Sequence, residues 1–187
     1  MSKLPPPGKT AVFVLMRKRL AIIAAAAAVI LIFMFVSGPA FAGASATTRE
    51  LPIYSVQRDN KAVSLTFDAA LGNEDTRRLI DILGKYNVKA TFFVVGDWAV
   101  KYPESVKALA DAGHEVMNHS DDHAHFSKLS AAEIVENVTA CNEKITDITG
   151  AAPTLFRAPY GEYDDNVIKT LESMGMRTIQ WDVDTFV

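Results

Sequence analysis

Cysteine occurs once among the 187 residues, as Cys141, so an intrachain disulfide is excluded and the folded part must hold together by its apolar core. Cys141 falls in a helical stretch among Val138, Ile145 and Ile148, where a buried apolar role suits a lone thiol. An excess of cationic residues is also missing. Five of the 19 basic residues (Lys3, Lys9, Arg17, Lys18 and Arg19) precede Thr47, which leaves 14 basic against 22 acidic residues and a formal charge of −8 for the remainder. That balance argues against nucleic acid as a partner. Long apolar runs are absent but for one, Leu20 to Val36. Arg17-Lys18-Arg19 precedes it and Ser37-Gly38-Pro39-Ala40-Phe41-Ala42 follows. A basic flank, an apolar run of this length and small residues after it read as an export signal. Cleavage after Ala42 or Ala46 and retention as an anchor with the basic end inside both fit. The expected localisation is therefore extracytoplasmic, either secreted or anchored to the membrane by this segment. Residues 43 to 60 are polar and without period, as in a stalk. The expected organisation is a signal peptide or anchor over 1–46, a linker over 47–60 and a domain over 61–187, long enough to form its own core.

Within that domain, strand and helix signals alternate. Ala62 to Phe67 reads as a strand, and Asp75 to Tyr86 carries Leu79, Ile80, Ile82 and Leu83 at helical spacing. Ala90 to Val95 is an unbroken apolar, β-branched and aromatic run, the pattern of a buried strand. A helix follows from Pro103 to the stop at Gly113, then a short strand from His114 to Met117. Ser130 with Glu133 three residues on forms a capping box that opens a helix closed by Gly150. Leu155-Phe156 is a minimal strand, Asp164 to Met174 a helix ending at Gly175, and Arg177 to Trp181 the last strand. This order requires a parallel sheet with crossover helices, as an open doubly wound sheet or a barrel.

The residues suited to chemistry follow the strands. Asp68, the pair His119 and His123, Arg157, and Asp182 with Asp184 each come at the carboxyl end of a different expected strand. In a βα-repeat fold those ends share one rim. Two imidazoles four residues apart can close on one metal ion. Taken singly they read as surface or capping residues, Arg157 as an ion-pairing residue, and Asp182 or Asp184 as loop acceptors. His114 and His125 have no such support. Trp98 and Trp181 suit a core as well as a sugar-stacking surface. Asp121 and Asp122 are expected to face solvent.

Together, Thr66-Phe67-Asp68-Ala69-Ala70, His119-Ser120-x-x-His123, Arg157-x-Pro159-Tyr160-Gly161 and Trp181-Asp182-Val183-Asp184 resemble, in order and context, the motifs of the polysaccharide deacetylase family with its NodB homology domain. The run from Phe67 through Thr76 is most similar to the sporulation-associated branch. The resemblance covers Lys61 to the end. It implies an α/β fold of the distorted (β/α) barrel type and a metal-dependent hydrolase acting on carbon–nitrogen bonds. Such an enzyme removes N-acetyl groups from an amino-sugar polymer, peptidoglycan or a chitin-like glycan, in cell-wall or spore maturation. Carried over by position, it implies His119 and His123 as ligands of a divalent metal, zinc or else cobalt, and Asp68 as the catalytic base. Arg157 would fix and ionise that base, the backbone N–H of Tyr160 would meet the oxyanion, and Pro159, Tyr160 and Trp181 would contact sugar. An arginine beside a carboxylate favours its charged form, so Asp68 is expected to stay ionised at neutral pH.

Two departures bear on that expectation. Where the family has a second aspartate after the base, as a third metal ligand, this sequence has Ala69. Asp75 or Glu74 swinging in, water in the vacant place, or a largely empty site are the alternatives. The family pattern also continues past Asp184 with an aspartate, a tryptophan and a later histidine, whereas this sequence stops at Val187. The barrel is accordingly expected to be incomplete at its C-terminus, with an exposed parallel edge and an open apolar face. A glycan-binding or structural relative that keeps the fold without turnover is the alternative to an enzyme. Oligomeric state is not readable from these residues.

Overall fold

The computed structural model describes the backbone of residues 9–37 and 49–185, with side chains over 19–33 and 49–185. The chain divides into two units, Met1–Thr48 and Arg49–Val187. In the first, helix α1 (Lys9–Ser37) covers the whole apolar run. Among the described residues, however, no helix is long and apolar enough to cross a membrane, so the expected transmembrane helix finds no support there. The cleavage positions after Ala42 and Ala46 lie outside the described residues.

The second unit carries a parallel sheet of strands β1 (Thr66–Ala69), β2 (Thr91–Val94), β3 (Glu115–Asn118), β4 (Leu155–Phe156) and β5 (Arg177–Thr178). Between them run helices α2 (Thr76–Lys85), α3 (Gly96–Lys101), α4 (Pro103–Asp111), α5 (Ala131–Thr149) and α6 (Asp165–Ser173). The strands lie side by side in sequence order, β1-β2-β3-β4-β5. That order decides between the two expected architectures. A doubly wound sheet needs a point where the order reverses, whereas right-handed crossovers that always advance by one strand put every helix on one face and curl the sheet as a barrel does.

Register assigns the two faces. Phe67 aligns with Phe92 and Val116, and this row, with Val94, packs against Leu83, Val106, Leu109, Cys141 and Ile145 of the helices. A second cluster gathers Phe156 of β4 with Phe126, Ile134, Val138, Val167 and Leu171. The opposite face carries Thr66, Asp68, Thr91, Phe93, Glu115 and Met117. It is mixed and largely polar, not the open apolar face expected. Leu83, Val106, Leu109 and Ile145 all lie within the predicted helices, and the Leu83 stripe was named in advance.

Boundaries shift where a partner decides them. β1 begins at Thr66 and not at Ala62, because its neighbour β2 begins at Thr91 and offers nothing further back to pair with. β5 is short because β4, its neighbour, spans two residues. Helix α3 went unforeseen. Gly96 opens it, and a Cβ there would lie 2.0 Å from Asp121 Oδ1, so glycine permits the loop after β3 to press on the start of α3. Residues Arg49 to Tyr54, expected in a linker, belong to this unit. Ile53 N–H donates to Thr178 O (2.9 Å), Gln180 N–H donates to Ile53 O (2.8 Å), and Glu50 N–H donates to Asp165 Oδ1 (3.0 Å). Ile53 therefore extends the sheet beyond β5 by one parallel bridge and covers part of the edge expected to be bare.

Candidate functional site

Asp68 projects from the inner face of β1, and Arg157 follows β4 directly. Arg157 Nη1 donates to Asp68 Oδ1 at 2.7 Å, and Nη2 donates to Thr66 Oγ1 at 2.9 Å. Its guanidinium lies 4.2 Å from the centroid of Phe93 and 5.7 Å from that of Trp181. Only 3% of Arg157 is exposed, so ring contact and carboxylate replace water around the charge. One of these rings belongs to an inner-face residue of β2, the other to the residue that ends the last expected strand. Trp181 thus acts first as a wall for Arg157.

His119 follows β3 and is buried. Its Nδ1 lies 2.8 Å from Arg157 O. A carbonyl can only accept, so Nδ1 carries the proton and, in the neutral ring, Nε2 keeps its lone pair. Burial is the largest influence on this imidazole and pushes its pKa below 6.5, against the pull of Asp68, which favours the neutral, metal-ligating form. Nε2 faces Asp68 Oδ2 at 3.8 Å, too long for a hydrogen bond. Two electron-rich groups facing each other across that gap suit a cation or a polar substrate group between them. The ring of His123 lies 5.1 Å from that of His119.

These two imidazoles sit on a loop, not on one face of a helix, and the loop is bent by backbone outside the common regions. Ser120 (φ 73°) and His123 (φ 60°) are both left-handed. Asparagines stabilise the bend. Asn118 Oδ1 accepts from Ser120 N–H (2.7 Å) while its Nδ2 donates to Val138 O and Asn142 Oδ1 of α5 (3.0 and 2.8 Å). Asn137 Oδ1 accepts from Asp121 N–H (2.7 Å) and its Nδ2 donates to Asp122 Oδ1 (2.8 Å). Lys144 pairs with Asp121 at 2.7 Å. Asp121 is therefore a half-buried tether, contrary to the expectation that it faces solvent, while Asp122 is exposed. None of the polar α5 residues, Asn137, Asn142 and Lys144, was singled out from the sequence. The available signal was a run of polar side chains, Asn137, Asn142 and Lys144, on a helix whose core positions are Ile134, Val138, Cys141 and Ile145.

Tyr160 occupies a turn of 3₁₀ type, Pro159–Gly161, at φ 58°. Its ring meets His123 edge-on at 4.6 Å and stacks on His125 at 4.3 Å with 14° between planes. His125, discounted from the sequence, is thus brought to the rim. Pro159 is buried, so it supports the turn and does not itself wall a groove. Gly161, at φ 68°, has Gln180 Nε2 and Trp181 Cη2 within 3 Å of where a Cβ would stand. Asp182 and Asp184 are exposed beyond β5. Trp98 is core, its Nε1 donating to Gly72 O at 2.6 Å, and so is His114, whose Nδ1 accepts from Ala90 N–H.

Among the described residues a third metal ligand is not supplied. Asp75 stands exposed at the N-cap position of α2 without a side-chain capping bond, Glu74 folds toward Gly72, and the methyl of Ala69 packs against the first core cluster. Among the described residues no three His, Cys, Asp or Glu side chains are grouped to hold a metal ion. His119 and His123 fit two nitrogen positions around a divalent ion, and the remaining places fall to water or substrate.

A singly wound parallel sheet with a buried arginine paired to a solvent-facing aspartate and with paired imidazoles on its carboxyl rim defines a barrel-type protein with a polar site at that rim. The profile of the Polysaccharide deacetylase family matches residues 55–179, and the chain belongs to that family. It is 39% identical over 127 residues to the peptidoglycan-N-acetylglucosamine deacetylase of Bacillus cereus, which covers 67% of this chain and 46% of that protein. Among solved structures it is similar to a CE4 family pseudoenzyme from Bacillus anthracis, with TM-score 0.70 and 38% identity over 72% of this chain and 48% of that one. It is 40% identical, again at TM-score 0.70, to a mutant of that pseudoenzyme with restored enzymatic activity. The chain thus spans about half the length of these relatives.

Proposed function

We propose that the protein carrying this chain hydrolyses N-acetyl groups on an amino-sugar polymer, peptidoglycan or a chitin-like glycan. The observation that carries this reading is the carboxylate of Asp68, held by Arg157 through one oxygen and turned toward His119 Nε2 with the other. In this reading Asp68 takes the proton of the attacking water. Arg157 keeps that carboxylate aimed and compensates its charge, and the Phe93 and Trp181 rings keep Arg157 from turning away. The Tyr160 N–H meets the oxygen of the amide as it gains charge. His119 and His123 are the nitrogens for a divalent ion, zinc or cobalt, which when bound supplies Lewis acidity to the scissile carbonyl. Tyr160 and Trp181 border the path of the glycan. Support comes from family membership and from relatives named as deacetylases. A cell-wall substrate goes with extracytoplasmic action, with the N-terminal basic and apolar segment as export signal or anchor and a place in wall or spore maturation.

A second reading, a glycan-binding relative without turnover, is favoured by one observation, the absence of a third ligand at Ala69, and by similarity to a pseudoenzyme. Substitution separates the two. If the protein is an enzyme, Asp68→Asn and His119→Ala each lower acetate release from N-acetylated chito-oligosaccharide or peptidoglycan by roughly 10² to 10⁴-fold. If it is a binder, no acetate is released by the wild type and both variants keep the wild-type glycan affinity.

A further inference from the structure

Three rings line up at the rim, His123, Tyr160 and His125, with Tyr160 in the middle. The middle residue, like His123, has a left-handed backbone, a conformation that a bulky L residue keeps only where its surroundings over-determine it. On one side the surroundings are plain: Pro159 is buried and Gly161 is wedged against Gln180 and Trp181. On the other side stands His125, an exposed ring that would rotate freely unless held. It is held. Both carboxylate oxygens of Glu162 lie 3.1 Å from His125 Nδ1. Ser127 Oγ donates to Glu162 Oε2 at 3.0 Å, and the backbone N–H of Glu162 donates to Pro159 O at 3.1 Å. The carboxylate that fixes His125 therefore belongs to the same turn as the tyrosine on which His125 lies.

We infer that His125 and Glu162 are a positioning pair: Glu162 orients the His125 ring, the ring clamps Tyr160 in its left-handed turn, and Tyr160 in turn sets the edge of His123. The inference rests on the reading of Tyr160 and His123 given above. An exposed ion pair by itself contributes little. What distinguishes this one is the parallel stack it imposes and the residue that receives the stack. The device works with a neutral imidazole, because Nδ1–H is a donor to Glu162 in either charge state. The hydrogen bond from His125 is also the largest influence lowering the Glu162 pKa, with Ser127 next.

Nuclear magnetic resonance of the ¹⁵N-labelled protein tests the pair independently of activity. Glu162→Ala removes no ring, so any change in ring-current shift reports movement of His125 or Tyr160. The expected result is displacement or broadening of the Tyr160 amide and the His123 ring signals in Glu162→Ala, with the wild-type positions retained in Glu162→Gln, which keeps an acceptor. Unmoved Tyr160 and His123 signals in Glu162→Ala overturn the inference. In the acetate assay, His125→Ala is expected to lower kcat about tenfold with KM nearly unchanged, and His125→Phe, which restores a stacking ring, to recover most of it. Equal kcat in wild type and His125→Ala also overturns it. A wild type that releases no acetate sinks the deacetylase reading and leaves the resonance experiment to decide the pair.

Discussion

A single methyl group separates two readings of this site. Ala69 stands beside the base where relatives' motif places a ligand, and its side chain lies on the core side of β1. We predict that Ala69→Asp tightens zinc binding at least tenfold, about 1.4 kcal/mol, in calorimetric titration. The same change destabilises the metal-free protein by about 1 to 3 kcal/mol, because the carboxylate is introduced at the edge of the apolar cluster. Unchanged zinc affinity would place the missing ligand elsewhere. His114 illustrates the opposite case, a titratable residue used for structure. Its buried Nδ1 accepts a backbone N–H, and burial, followed by the charge of Lys89, lowers its pKa from 6.5. With the folded value depressed, the unfolded chain binds the proton first. The stability contributed is complete above pH 6.5 and is lost as pH falls from there toward the folded value. His114→Asn, whose Oδ1 can accept the same N–H, should flatten the decline of urea-unfolding stability as pH falls below 6.5. An unaltered slope would clear His114 of any part in it.

Helix α5 does two jobs. Its apolar positions fill both core clusters, and its polar positions hold the histidine loop. The first was legible in the sequence because periodicity reports burial, and the Ser130–Glu133 capping box was read in advance and is formed, with Ser130 N–H donating to Glu133 Oε2 at 2.8 Å. The second was not legible. Asn137 acts across tertiary distance on the loop, and Asn118 ties it to α5; its left-handed residues, Ser120 and His123, carry no glycine signature. The motif His119-x-x-x-His123 announced a metal pair, but nothing in its spacing said that asparagine amides would shape it. Asn137 anchors the loop twice, so Asn137→Ala should loosen it and weaken metal binding about tenfold, with circular dichroism unchanged. Equal affinity would show that Asn118 and Lys144 suffice.

At the level of the whole fold, alternation of strands and helices gave the parallel sheet, and strand order alone distinguished the barrel type from a doubly wound sheet. Order is a property of pairing, which no local pattern encodes, so periodicity left both open and only the motif resemblance pointed to the barrel. The convergence of Asp68, His119 and Arg157 was legible because carboxyl ends of parallel strands share a rim. His125, Gln180 and the segment around Ile53 were not, since each reaches its place through a turn or edge contact and not through a strand end. Metal-assisted deacetylation at this rim with two protein nitrogens remains the proposed activity. Acetate release from an N-acetylated glycan, followed after chelator treatment and then with increasing zinc or cobalt, tests it most directly. Release is expected to be absent in chelator, to rise with added metal and to fall again on re-chelation. Release indifferent to chelator, or none at any metal concentration, would contradict it.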